Sequence, residues 1–140
     1  MRLSSFHIYN VRNGDIDISI DDIGYCAGKY NYDVPNSLLK ALADLLEKKE
    51  TEIDIDWSYD VHEYSLTLRR VDDTLYLNRA IGDRPINDCD DILDAAKAVL
   101  WEFELYEDGN GRKRYEKQYR SFPQQEYDRL KQLVKLSKNK

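Results

Sequence analysis

Residues 14–22 read Gly-Asp-Ile-Asp-Ile-Ser-Ile-Asp-Asp, and residues 52–57 return to the pattern as Glu-Ile-Asp-Ile-Asp-Trp. Strict alternation of acid and isoleucine is the period-two signature of a β-strand with one buried and one wet face. The isoleucines therefore point to a core and the acids to water. Asn13 and Gly14 stand just before the first strand. That pair is best able to adopt the positive φ angles of a two-residue type I′ hairpin turn. Residues 2–12 and 15–21 are thus predicted to form a hairpin, with Arg12 opposite Asp15, Val11 opposite Ile16, Tyr9 opposite Ile18 and His7 opposite Ile20. This register assigns Leu3, His7, Tyr9, Val11, Ile16, Ile18 and Ile20 to the core face. It leaves Phe6, Ile8, Asn10 and Arg12 beside Asp15, Asp17, Ser19 and Asp21 on the wet face.

Working outward, residues 22–34 (DIGYCAGKYNYDV) read as a Gly- and Tyr-rich connection. Pro35 opens a helix over 36–49, with Leu38, Leu42, Leu45 and Leu46 at helical spacing. Strands are predicted at 52–58, 61–71 and 74–81, with Ile53, Ile55, Trp57, Tyr64, Leu66, Leu68, Leu75 and Leu77 inward. Residues 82–88 end the sheet, and Asn87 or Asp88 caps a long helix over 88–107. Its main stripe is Ile92, Leu93, Ala96, Val99, Leu100 and Phe103. Trp101 and Leu105 lie off that stripe, which predicts a second apolar face that receives the C-terminal segment. Ser121 and Pro123 start a last helix carrying Tyr127, Leu130, Leu133 and Val134. The order ββαβββαα predicts a single α+β domain over 1–140, with helices on one face of a mainly antiparallel five-stranded sheet. Residues 1–86 would supply the sheet and a crossing helix, and residues 87–140 a helical end.

Charge is distributed unevenly along the 140 residues. Residues 1–111 hold 24 Asp and Glu against 11 Lys and Arg, a balance of −13. Residues 112–140 hold 3 against 10, a balance of +7. An acidic body repels nucleic acid. The basic, Tyr-interleaved stretch GRKRYEKQYR at 111–120 is better read as a helix whose Tyr115 and Tyr119 dock on Trp101 and Leu105. No membrane-spanning run and no signal-peptide core is present, and Cys26 and Cys89 fit two reduced thiols, so a cytoplasmic chain is expected.

Motifs for chemistry fail on their spacing. Acids at alternate strand positions lie roughly 7 Å apart along one strand, whereas a hard cation needs carboxylates converging from several elements. The Asp-x-Asp of Asp54 and Asp56 lacks the Gly-Ser turn of nucleotidyltransferases, and no Glu-x-Lys follows on a strand as nucleases would need. GYCAGKY at 24–30 has three residues between its glycines and a Tyr after the Lys, so it is not a phosphate loop. Cys26 with His7 or His62 could in principle make a thiol dyad, and no nucleophile motif supports it. No metal, cofactor or catalytic residue is therefore assigned.

Trp57, Glu63, Tyr64, the Leu66-x-Leu68-Arg69-Arg70 hairpin, Tyr115, the Phe122-Pro123 pair and Leu130 form a pattern that resembles a group of small, largely uncharacterised bacterial proteins. The chain lacks the Pro-Gly that follows the Glu in that pattern and carries Tyr119 at a position where Trp occurs. The resemblance covers about half the chain and rests on structural motifs. It implies an accessory protein and no particular reaction.

Function is thus expected to be non-enzymatic protein binding, of an immunity or inhibitor type that neutralises a basic partner. The expected surface comprises Phe6, Ile8, Asp15, Asp17, Asp21, Glu52, Asp54 and Asp56 on the sheet, with Tyr25, Tyr30 and Tyr32 as stiff contact groups on the connecting loop. The alternative is an enzyme or small-ligand binder with a pocket between the helices and loop 22–34.

Overall fold

Asn13 (φ 52°) and Gly14 (φ 86°) close a two-residue turn between β1 (Phe6–Arg12) and β2 (Asp15–Ile20), as the sequence predicts. The computed structural model describes residues 6–20, 23–28, 33–59, 62–81 and 84–138. Next to the turn the ladder follows the expected register, Arg12 with Asp15 and Val11 with Ile16. Beyond it a β-bulge intervenes: Asn10 pairs with Asp17, but Ile8 pairs with Ile18, leaving Tyr9 as the extra residue. One inserted residue turns over every side chain before it. Phe6 and Ile8, expected on the wet face, are in the core at 1% and 6% exposure, whereas Tyr9, expected inside, is 60% exposed. His7 is exposed as well. Burying the apolar pair in place of His7 and Tyr9 avoids desolvating two polar groups, and each apolar side chain buried contributes about 1.5–3 kcal/mol. Phe6 stacks on Phe103 at 6.1 Å between ring centroids.

The segment read as a connection contains a third strand, β3 (Ile23–Gly28), antiparallel to β2. Its Tyr25 and Ala27 are buried. After Asp33, whose side chain accepts from the Asn36 amide, α1 (Val34–Leu46) carries Leu38, Leu39, Leu42 and Leu45 inward. The helix ends with Lys48 in the left-handed region (φ 61°), its amide on Leu45 O and the Lys49 amide on Asp44 O. The Arg70 guanidinium adds a 2.8 Å hydrogen bond to Leu45 O, a cation at the negative end of the helix dipole.

Four more strands follow: β4 (Glu52–Tyr59), β5 (His62–Val71), β6 (Thr74–Ile81) and β7 (Arg84–Asp91). They form an antiparallel sheet of their own in the order β4-β5-β6-β7, separate from β1-β2-β3. Among the described residues there are therefore two sheets, of three and four strands, in place of the single five-stranded sheet expected. The α+β class stands, with the order βββαββββααα. β7 occupies the stretch read as the start of a helix. Asp91, not Asn87 or Asp88, caps α2 (Ile92–Glu104) by accepting from the Leu93 and Asp94 amides at 3.0 and 3.1 Å. The helices α3 (Gly109–Gln118) and α4 (Gln124–Lys138) complete the chain. Gly111 allows the tight passage from α2 into α3, since a Cβ there would lie 2.1 Å from Leu105 O.

The inward faces of both sheets and helices α1, α2 and α4 share a core. At the seam of the sheets Tyr25 packs against Trp57 and Tyr64, and Trp57 Nε1 donates to Cys26 O at 3.0 Å. α4 is clasped to α1 by Arg129, which reaches Asp44 at 2.6 Å and Glu47 at 2.9 Å. α2 and α3 finish the edge of the smaller sheet: Glu102 accepts from the Ile8 amide, and the Gly14 amide donates to Gln118 O. Tyr115 and Tyr119 are buried as a docking segment requires. Tyr115 packs against Tyr106, Tyr119 and Phe122, however, and Trp101 and Leu105 remain 71% and 63% exposed. No helix among the described residues is long and apolar enough to cross a membrane.

Candidate functional site

The acids of the two alternating strands occupy different environments. On β2, Asp15 and Asp17 are half-buried beside β3, where the register sets Asp17 opposite Cys26 and Asp15 opposite Gly28. The Cys26 thiol donates to Asp17 Oδ1, and the Tyr59 hydroxyl donates to Asp15 Oδ2 at 2.7 Å. Tyr9, released outward by the bulge, lies over Gly24, where a Cβ would sit 3.0 Å from its hydroxyl oxygen. These contacts draw both carboxylates into the fold's own hydrogen bonding.

The electrostatics agree. Burial, then the hydrogen bond and negative charge of Asp17, push the Cys26 thiol up to about 12. The bond to Asp15, with burial second, raises the Tyr59 hydroxyl to about 12. Both groups therefore stay protonated at neutral pH. A thiol held in this way is a poor nucleophile, because the thiolate is the reactive form. His7 does not serve it as a base: its Nδ1 lies 3.3 Å from Glu102.

On β4 the carboxylates stand free of the fold's interior. Glu52, Asp54 and Asp56 are exposed, opposite Arg69, Thr67 and Ser65 of β5. Thr67 Oγ1 donates to Asp54 at 2.7 Å and Ser65 Oγ to Asp56 at 2.6 Å. Neither acid forms an ion pair among the described residues. The outer face around them is polar and uncovered, with Ser58, Glu63, Arg69 and Asn78 also exposed. Arg69 sits over the Tyr76 ring at 4.7 Å. Two carboxylates two positions apart, each oriented by a hydroxyl on a rigid ladder, make a fixed anionic row.

Of the residues expected to form one contact surface, Glu52, Asp54 and Asp56 thus share an open face, and Asp15 and Asp17 belong to the partly enclosed cluster with Cys26. Phe6, Ile8 and Tyr25 are core residues and leave the surface altogether. Asp21, Tyr30 and Tyr32 lie outside the described residues, as do the other residues of 29–32 and residue 22 in the loop expected to wall a pocket. Among the described residues no three His, Cys, Asp or Glu side chains converge as a metal site would require. Sequence reasoning missed the groove between α2 and α4 that Trp101 lines. The signal was present in that Trp101 and Leu105 fall off the helix's main stripe. Compared with known proteins, the chain matches no family model, no curated protein and no solved structure.

Proposed function

We propose that the chain is a non-enzymatic protein-binding module, of an inhibitor or immunity type, that meets a basic partner through the outer face of β4 and β5. The observation that carries this reading is the pair Asp54 and Asp56, exposed, oriented by Thr67 and Ser65, and in no ion pair among the described residues. A fixed row of exposed carboxylates attracts a basic surface during encounter and sets its register on contact. Because the carboxylates are already oriented, a partner's Lys or Arg forms charge-assisted hydrogen bonds without ordering them first.

The experiment is capture of a basic protein from the native host on immobilised protein, with the same partner then titrated against variants. Asp54→Asn combined with Asp56→Asn is expected to weaken that partner's binding by about tenfold or more, with the loss concentrated in the association rate and diminished by added salt. Undiminished binding of the double variant would overturn the acidic-face reading even with a partner in hand.

A further inference from the structure

Among the described residues the two sheets end in four edge strands, β1, β3, β4 and β7. An edge strand keeps one side of its backbone outside the ladder, and proteins normally cover or blunt it. β1 is covered: Glu102 accepts from the Ile8 amide, and Gln118 O accepts from the Gly14 amide beside it. β7 carries Pro85, which has no N–H to offer. β3 abuts β4 at the seam, where Cys26 O accepts from Trp57 Nε1. Nothing comparable among the described residues guards the first half of β4, Glu52 to Asp56.

The register shows which backbone groups are free there. The Arg70 amide donates to Thr51 O, which makes Thr51 and Arg70 a hydrogen-bonded pair of the ladder. Unbroken pairing from Glu52 with Arg69 to Tyr59 with His62 carries that phase along the strand. Ile53 and Ile55 therefore bond to β5, whereas the N–H and C=O groups of Glu52, Asp54 and Asp56 point away from it. Those groups meet no backbone partner among the described residues. Beside them lies a groove of about 170 Å³ between residues 53–55 and the Ser37, Lys40 and Ala41 side of α1. Lys40 pairs with Asp44 at 2.8 Å. On the outer face of β4 and β5 the exposed acids Glu52, Asp54, Asp56 and Glu63 stand against one exposed cation, Arg69, among the described residues.

We propose that Glu52 to Asp56 receives an extended basic segment of the partner protein as an added strand, antiparallel like every other pairing in this sheet. The proposal rests on the sheet-face reading above and specifies how that contact is made. A residue of the added strand directly opposite Asp54 or Asp56 exchanges main-chain hydrogen bonds with it and sets its side chain on the same outer face. Lys or Arg at those alternate positions pairs with the carboxylates. The residues between them point toward the groove beside α1, whose volume suits small side chains such as Ala, Ser or Val. Main-chain bonds thus supply affinity, and the alternation of basic and small residues supplies specificity. A second copy is a poor occupant, because two-fold pairing of β4 with β4 sets acid opposite acid.

The probe is a fluorescein-labelled peptide of about nine residues alternating Lys and Val. Its controls are the same composition with the lysines in one block, and two forms N-methylated on the backbone, one at the lysines and one at the valines. Anisotropy is expected to show the alternating peptide binding at least about tenfold tighter than the block control. Methylation at the lysines, whose amides face β4 in an antiparallel strand, is expected to abolish binding. Methylation at the valines, whose amides face away, is expected to leave it within about twofold. Asp54→Asn combined with Asp56→Asn is expected to weaken the peptide about tenfold. In residue-resolved hydrogen exchange the Asp54 and Asp56 amides should exchange freely in the protein alone and become protected by the peptide, with Ile53 and Ile55 protected throughout. Absence of binding, equal binding of the block control, equal loss on both methylations, or unprotected Asp54 and Asp56 amides overturns the added strand. A captured partner that the double Asn variant still weakens would then keep the acidic-face reading, so the two fail separately. A dimer in sedimentation that Asp54→Pro abolishes would assign the edge to a second copy and overturn the proposal equally.

Discussion

The strands β2 and β4 carry nearly the same sequence, Asp-Ile-Asp-Ile-Ser-Ile against Glu-Ile-Asp-Ile-Asp-Trp, and use it in opposite ways. Their inward halves are alike at the centre, with Ile16, Ile18 and Ile55 all within 1% of full burial, though Ile53 at the start of β4 is half-buried. Their acids diverge. Asp15 and Asp17 accept hydrogen bonds from Tyr59 and Cys26, whereas Asp54 and Asp56 are turned to solvent and steadied by Thr67 and Ser65. What a carboxylate does on a strand is therefore set by its neighbours across the ladder and at the seam, and the alternation itself is silent on the matter.

If the apolar halves are equivalent, Ile16→Ala and Ile55→Ala should each lower unfolding free energy by about 2–5 kcal/mol in chemical denaturation. A cost confined to one strand would break the comparison at its root. A third acid, Asp44 on α1, extends the contrast among carboxylates. Its burial raises its pKa, but the hydrogen bonds of Lys40 and Arg129 outweigh that and hold it below its ordinary value of 3.8. A depressed carboxylate contributes stability that is complete above its unfolded value and is lost as pH falls through the folded one. Arg129→Met should thus cost about 2 kcal/mol at neutral pH, less than a fully buried pair because Lys40 remains and the site is partly wet. The difference from the parent should shrink in denaturation experiments carried below pH 3.8.

Smaller effects separate the two strands directly. Asp15→Ala removes the acceptor of the Tyr59 hydroxyl and should cost about 1 kcal/mol. Asp54→Asn and Asp56→Asn, at exposed positions, should each stay within about 0.5 kcal/mol of the parent. Thermal melts that order these variants the other way would erase this difference between the two strands. The thiol gives a finer probe. With Cys26 raised to about 12, exposed Cys89 should be alkylated first near neutral pH. Asp17→Asn removes the negative charge that raises Cys26 and leaves only a neutral amide acceptor, so its alkylation should accelerate.

Much of the fold was legible in local pattern. The Asn13-Gly14 turn, the alternation on β2 and β4, the β5–β6 hairpin and the leucine stripe of α1 all follow from the sequence. The bulge left a trace, since Phe6, Ile8 and Val11 are spaced by two and then three residues, which a strict period-two strand cannot bury on one face. β3 was hidden by its glycines, which suggest a loop although Ile23, Tyr25 and Ala27 alternate. β7 was hidden by Pro85 and a run of Asn and Asp, residues that an edge strand tolerates because one side of its backbone goes unpaired.

The sequence by itself determined which residues prefer a pleated, half-buried backbone and where the chain must turn, because φ preference and side-chain alternation act over a few residues. Only the tertiary structure decided how the strands divide into two sheets, and that Phe6 and Ile8 face inward. It also decided which acids are drawn in beside β3 and the seam and which face solvent. Those outcomes depend on burial and on partners far away in sequence: Glu102 for β1, Tyr59 for Asp15 and Arg129 for Asp44. A local pattern carries no record of such distant contacts.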